Sequence, residues 1–161
     1  MNHEDYMREA LKEAKTALKE GNWPIGCVIV LNKEIITRTH NLVYTTNNKL
    51  NHAEMLALQQ AQPILRRNKR KASIYTTYEP CPMCFGGIIL SRIKNVYAGI
   101  DVDNSGAMYL RNNLPLLFKM DDFQVNFRLG ILERECYEVF RQGKPTQDLI
   151  RKGLLKPLPY L

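Results

Sequence analysis

The run Ile25–Leu31 carries no polar side chain. It is far shorter than the roughly 20 residues a membrane span needs. Its β-branched content makes Gly26–Leu31 a buried strand. A strand with no polar alternation offers water neither face, so it belongs in a sheet covered on both sides.

The rest of the chain supplies that sheet and its cover. Glu4–Glu20 places Tyr6, Met7, Ala10, Leu11, Ala14 and Leu18 at three- and four-residue steps, the pattern of an amphipathic helix with Asn2 as N-cap and Gly21 as stop. Asn32-Lys33 turns the chain into a second strand, Glu34–Thr39. After the polar loop Thr45–Asn51, Asn51 is expected to cap a helix from His52 to about Gln62, ended by Pro63. Ala72–Thr77 and Asn95–Ile100 read as strands, and Pro80-Cys81-Pro82 leads into a helix over Met83–Leu90. Asp101–Asn113 reads as a loop around Ser105-Gly106, Gln124–Gly130 as a fifth strand and Leu132–Arg141 as a last helix. Beyond Gly143, with Pro145, Pro157 and Pro159, regularity is expected to fade. This order predicts an α/β fold of three layers, α-β-α, around a central mixed five-stranded sheet. Residues 1–143 form the expected domain and 144–161 a tail, not a second domain.

A 161-residue chain that is 45% hydrophobic is too apolar for disorder and large enough for its own core. His3, Glu4 and Asp5 replace the basic start of a signal segment, so a soluble, cytoplasmic protein without membrane contact is expected. The net charge of +7 is unevenly spread. Arg66, Arg67, Lys69, Arg70 and Lys71 form one cationic run, and the tail from Arg141 sets five cations against Asp148. Such clusters fit a polyanion, although a solvated loop explains a basic run equally well.

Cysteine and histidine usage narrows the chemistry. Cys27 sits in the first apolar strand and Cys136 in the last helix, both as core residues. Cys81 and Cys84 form a C-x-x-C, open to three readings: half a structural zinc site, a redox dithiol, or part of a catalytic zinc site. His52-Ala53-Glu54 favours the last. His52, Cys81 and Cys84 give three ligands of zinc's preferred softness and leave a fourth position for water. Both groups fall at first turns of helices, whose positive ends favour thiolates. Glu54, two residues beyond His52, is on another side of the helix and serves the water rather than the metal.

With Pro80-Cys81-Pro82-Met83-Cys84 beginning 26 residues after Glu54, the string matches the H-x-E…P-C-x-x-C signature, and the chain resembles the zinc-dependent cytidine and deoxycytidylate-type deaminases. The blocks Pro24–Val30, His40-Asn41, His52-Ala53-Glu54 and Glu79–Cys84 resemble those of bacterial tRNA-adenosine deaminases and of guanine or cytosine deaminases. The resemblance implies a cytidine deaminase-like fold, one zinc per chain on His52, Cys81 and Cys84, and Glu54 as the proton carrier. It further implies backbone contacts to substrate near Ala53, Pro80 and Cys81, a base or ribose contact from Asn41, and apolar contacts from Ile25 and Val28. For the two apolar residues a place in the core is an equal expectation. A homodimer is implied by the family alone.

Two substrate classes remain. Gly130–Cys136 resembles the tRNA enzymes, and the two basic clusters could neutralise phosphates, whereas the tail Gly143–Leu161 departs from them. Asn41–Asn47 and the C-P-M-C form look closer to guanine deaminases, and Lys49-Leu50-Asn51 stands where tRNA enzymes carry D-P-T. The preferred expectation is adenosine to inosine in tRNA. The alternative is a free base or nucleoside.

Overall fold

The computed structural model describes residues 1–102, 106–107, 110, 113–120 and 123–154. Part of the expected loop Asp101–Asn113, and Pro157 and Pro159 of the tail, lie outside the described residues. Among the described residues five α-helices and five strands follow in chain order: α1 His3–Lys19, β1 Gly26–Leu31, β2 Glu34–His40, α2 Ala53–Leu65, β3 Ala72–Tyr78, α3 Pro82–Leu90, β4 Asn95–Ile100, β5 Asn126–Arg128, α4 Glu133–Phe140 and α5 Lys144–Arg151. A 3-10 turn spans Leu116–Lys119.

Helix α1 begins where Asn2 Oδ1 accepts from the Asp5 amide at 2.9 Å and Asp5 Oδ2 accepts from the Asn2 amide at 2.8 Å, a reciprocal cap. It ends at Gly21, whose φ of 80° brings the Asn22 amide to Ala17 O and its own amide to Leu18 O, satisfying the last carbonyls. Asn32 and Lys33 take positive φ values of 51° and 68°, the two-residue turn that joins twisted antiparallel strands. Ile36 is the extra residue where the β1–β2 register shifts between Ile29 and Val30.

The sheet order is β2-β1-β3-β4-β5. β1 is antiparallel to β2 and β3, while β3, β4 and β5 run parallel, so the expected mixed five-stranded sheet is present. Strand alternation sends Val28 and Val30 into the layer under α1 and α4, and Cys27, Ile29 and Leu31 into the layer under α2 and α3. Burying each aliphatic side chain contributes about 1.5–3 kcal/mol, and β1 does so on both faces. Among the described residues no helix is long and apolar enough to cross a membrane.

Four local expectations change. Asn51 does not cap α2; His52 holds the N-cap position, and the Asn51 side-chain amide instead donates to Thr46 Oγ1 at 2.8 Å. Pro63 lies inside α2, because the missing N–H falls in an exposed last turn that buried Leu65 draws down onto the sheet. β5 is only three residues long. Beyond Gly143 the chain forms α5, with Pro145 tolerated in its first turn and buried together with Thr146.

Gly26 lies directly under α1: a Cβ there would sit 2.0 Å from Ala10 O and 2.4 Å from Ala14 N. Gly26→Ala must push helix from sheet, and is expected to cost about 3 kcal/mol in urea unfolding. An unchanged midpoint would contradict this packing.

Candidate metal centre and active site

The N-termini of α2 and α3 converge at one end of the sheet. Each helix has a metal-ligating residue type at its N-cap in extended conformation: His52 at φ −71°, ψ 149°, and Cys81 at φ −70°, ψ 169°. An N-cap side chain folds back over the first turn and meets the residue three positions on. That is why C-x-x-C works here: Cys81 at N-cap and Cys84 at the third helical position bring their sulfurs to 3.5 Å. Neither helix has a side-chain cap bond, so both present uncapped amides and a positive dipole end to the thiols.

His52 Nδ1 completes the triangle, 3.6 Å from Cys81 Sγ and 3.5 Å from Cys84 Sγ. Tetrahedral zinc, with bonds of about 2.3 Å to sulfur and about 2.0 Å to nitrogen, spaces its ligand atoms roughly 3.5–3.8 Å apart. The three separations match, and both cysteines are free thiols. His52, Cys81 and Cys84 are therefore positioned to hold a metal ion, with two thiolates and an imidazole suited to zinc. The other histidines are engaged elsewhere. His40 bridges Glu13 at 2.8 Å and Glu20 at 3.2 Å, and His3 Nδ1 meets the Tyr75 hydroxyl at 2.8 Å.

The electrostatics favour a thiolate at Cys81. The hydrogen bond with Cys84, and then His52, push the Cys81 thiol down to about 4. The same bond and burial move Cys84 up. The bond to Cys81 raises His52.

Glu54 is 4% exposed, and burial, reinforced by the charge on Cys81, raises its carboxyl above the ordinary range. Its Oε1 accepts from Thr76 Oγ1 at 3.0 Å, while Oε2 lies 3.6 Å from Cys84 Sγ. One oxygen is thus held from β3 and the other faces the ligand triangle.

The remaining sequence candidates separate. Asn41 is 1% exposed; its backbone amide donates to Ile25 O and its Oδ1 accepts from the Val43 amide, each at 3.0 Å. The Leu42 amide bonds Asn51 O at 3.0 Å, which ties Asn41 to the chain entering α2. Ile25 is half-buried beside it. Ala53 is buried at the first position of α2, its carbonyl accepting from Thr39 Oγ1 at 2.7 Å. Pro80 O already accepts from the Ala107 amide at 2.9 Å. Val28 is moved out of the site: it is fully buried in the layer under α1, on the sheet face opposite the ligands, because its neighbour Cys27 takes the other face.

Two supporting groups, Thr76 and Thr39, are not marked by the sequence, and Glu79 stands there only within the block Glu79–Cys84, without a role. A threonine in a strand carries no signal of its own. Glu79 is buried beside Cys81, with Oε2 accepting from the Val102 amide at 3.2 Å. A Cβ on Gly106 would lie 2.1 Å from its carboxyl carbon, so Gly106 is pressed onto a carboxylate.

A family model for the cytidine and deoxycytidylate deaminase zinc-binding region matches residues 1–100. The chain is 40% identical over 154 residues to the tRNA-specific adenosine deaminase of Bacillus subtilis (strain 168), covering 92% of this chain and 95% of that protein. It is 37% identical over 161 residues to the protein of the same name from Streptococcus pyogenes serotype M1, covering 94% and 90%. A structure solved in a study of A-to-I editing by tRNA:A34 deaminases at the wobble position is similar at TM-score 0.70 and 29% identity, covering 84% of this chain and 98% of that one. A guanine deaminase from Nitrosomonas europaea shares the fold at TM-score 0.67 and 18% identity, covering 88% and 84%.

The triangle predicts one zinc per chain by elemental analysis of the purified protein. Cys84→Ala is expected to lose that metal, since it removes a buried corner of the set. Full zinc content in this variant would contradict the assignment.

Proposed function

The chain belongs to the cytidine and deoxycytidylate deaminase zinc-binding family, and we propose that the amino group it removes is that of adenosine in tRNA, giving inosine. As a member it is a hydrolase acting on the C–N bond of a cyclic amidine. The observation that carries the chemistry is the buried Glu54 carboxylate beside, and not within, the His52, Cys81 and Cys84 triangle. The substrate reading is supported by the Bacillus subtilis relative, which matches nearly end to end.

Held by His52, Cys81 and Cys84, zinc would supply the Lewis acidity that lowers the pKa of a water toward neutrality. Glu54 takes a proton from the attacking water at Oε2 and passes it to the ring nitrogen next to the reacting carbon. The water oxygen bonds that carbon, Glu54 takes the second proton from that oxygen and delivers it to the amine, and the C–N bond breaks as ammonia leaves. Burial raises its carboxyl, the direction that suits a group that both accepts and returns a proton. Thr76 keeps Oε1 occupied, so the carboxylate does not rotate out of position.

Around this centre, Asn41 is assigned to the base or ribose: its carbonyl oxygen is held by Val43, and among the described residues its side-chain nitrogen has no acceptor. Ile25 and the Pro80 ring line the base, with the Ala53 amide at the positive end of α2. We read residues 1–143 as the deaminase domain and 144–161 as its tail. A homodimer belongs to the same reading. The enzyme is assigned to the cytoplasm together with its tRNA.

The test is to incubate the zinc-loaded protein with a tRNA bearing adenosine at the wobble position and, separately, with free guanine, cytosine and adenosine. Inosine in the tRNA and no ammonia from the free compounds is expected. Ammonia from a free base with unmodified tRNA would replace the tRNA reading by the small-molecule one. In the same assay Thr76→Val is expected to lower kcat about 10-fold with KM nearly unchanged, because one oriented donor is worth about 1–1.5 kcal/mol, and Thr76→Ser is expected to restore most of it. An unaltered kcat in Thr76→Val would show that this hydroxyl does not position Glu54.

A further inference from the structure

The cationic run lies at the end of the molecule remote from the metal centre. The ligands sit where β3 ends and where α2 and α3 begin. Arg66 to Lys71 connect the C-terminus of α2 to the start of β3, so α2's 13 residues separate them from His52 by about 20 Å at a rise of about 1.5 Å per residue.

Two other connections add cations there. Lys33 occupies the β1–β2 turn, next to Ala72 through the Leu31–Ala72 register pair. Lys94 precedes β4, its amide donating to Ala72 O at 3.3 Å. Arg70 and Arg92 are engaged within the fold: Arg70 NH1 donates to Gln124 O at 3.0 Å, and the Arg92 guanidinium stacks 3.4 Å from the Phe123 ring centroid. Lys33, Arg66, Arg67, Lys69, Lys71 and Lys94 are exposed, and among the described residues none forms an ion pair.

Among the described residues, acids do not cancel this charge. Glu4 and Asp5 at the start of α1 pair with Arg8, and Asp5 also closes the α1 cap. Glu34 is the remaining acid at this end among the described residues. Cations at a helix C-terminus offset the dipole, which accounts for Arg66 at the α2 C-cap but not for cations gathered from three separate connections.

We propose that this end is a second docking surface, taking the phosphodiester backbone of the same RNA whose adenosine enters the metal centre. A free base or nucleoside at the centre does not span about 20 Å; a polynucleotide does, and it carries the regularly spaced negative charge that six exposed cations complement. The surface thus separates polymeric from small substrates by charge at a distance, and leaves the chemistry untouched. This inference rests on the tRNA reading above.

The test compares wild-type protein with the combined variant Arg66→Gln, Arg67→Gln, Lys69→Gln and Lys71→Gln on two substrates over a salt series: full-length tRNA with a wobble adenosine, and a short oligonucleotide of the anticodon loop alone. For tRNA, the slope of log kcat/KM against log salt is expected to flatten by about 3, at roughly 0.7–0.9 for each phosphate no longer neutralised. KM should rise at least about 10-fold at physiological salt through the same weakened electrostatics, with kcat unchanged. Turnover of the loop oligonucleotide is expected to stay the same, which also shows that the variant is folded. Equal tRNA slopes in the two proteins overturn the docking surface while leaving the tRNA reading intact. Unchanged tRNA kinetics with weakened binding to phosphatidylglycerol vesicles would assign the cations to a lipid surface and overturn the RNA assignment. No inosine in either substrate with wild-type protein overturns both readings.

Discussion

Two helix N-termini meeting over the same sheet end are what the rest of this molecule depends on. An α-helix leaves its first amides unsatisfied and concentrates positive potential there. Most helices spend that potential on a serine or aspartate cap. In α2 and α3 the cap positions go to His52 and Cys81 instead. The backbone turn that makes an N-cap also fixes the ligand directions, so the metal triangle follows from ordinary helix starts. The sheet sets the helix spacing: β1 is buried on both faces, α2 packs on one of them, and Gly26 lets α1 approach the other without a side chain between.

The division of labour at the centre follows from position in the first turn of α2. His52 at the cap points back over the helix end, whereas Glu54, two residues on, projects to another side and reaches β3, where Thr76 holds it. A carboxylate this buried is costly to ionise. Here the cost sits on the group that has to carry a proton, and the neighbouring sulfur adds to it.

Much of this is legible in the sequence because the signals are local. The unbroken apolar run of β1, the caps of α1, the positive-φ turn at Asn32-Lys33 and the spacing of His52, Glu54, Cys81 and Cys84 each depend on a few adjacent residues. What is not legible depends on residues distant in the chain. Thr76 meets Glu54 across 22 positions and Glu79 reaches Val102 across 23, and neither residue type is unusual where it stands. Val28 borders the site in sequence and so suggests a place near the base, yet strand alternation turns it to the far layer. Helix α5 is short and mostly polar, and its Pro145 reads as a breaker although the first turn accepts it. The two ends of α2 also divide the charge: the cationic run that dominates the net charge lies at the end of the helix away from the chemistry, which sequence position alone does not reveal.

The claim most central to this account is that three side chains hold the metal while Glu54 moves the proton. Measuring zinc content and ammonia release on Glu54→Ala addresses it directly. The account predicts one zinc per chain, as in the unaltered protein, with turnover lost. Retained turnover, or loss of the metal together with activity, would contradict the separation of the two roles.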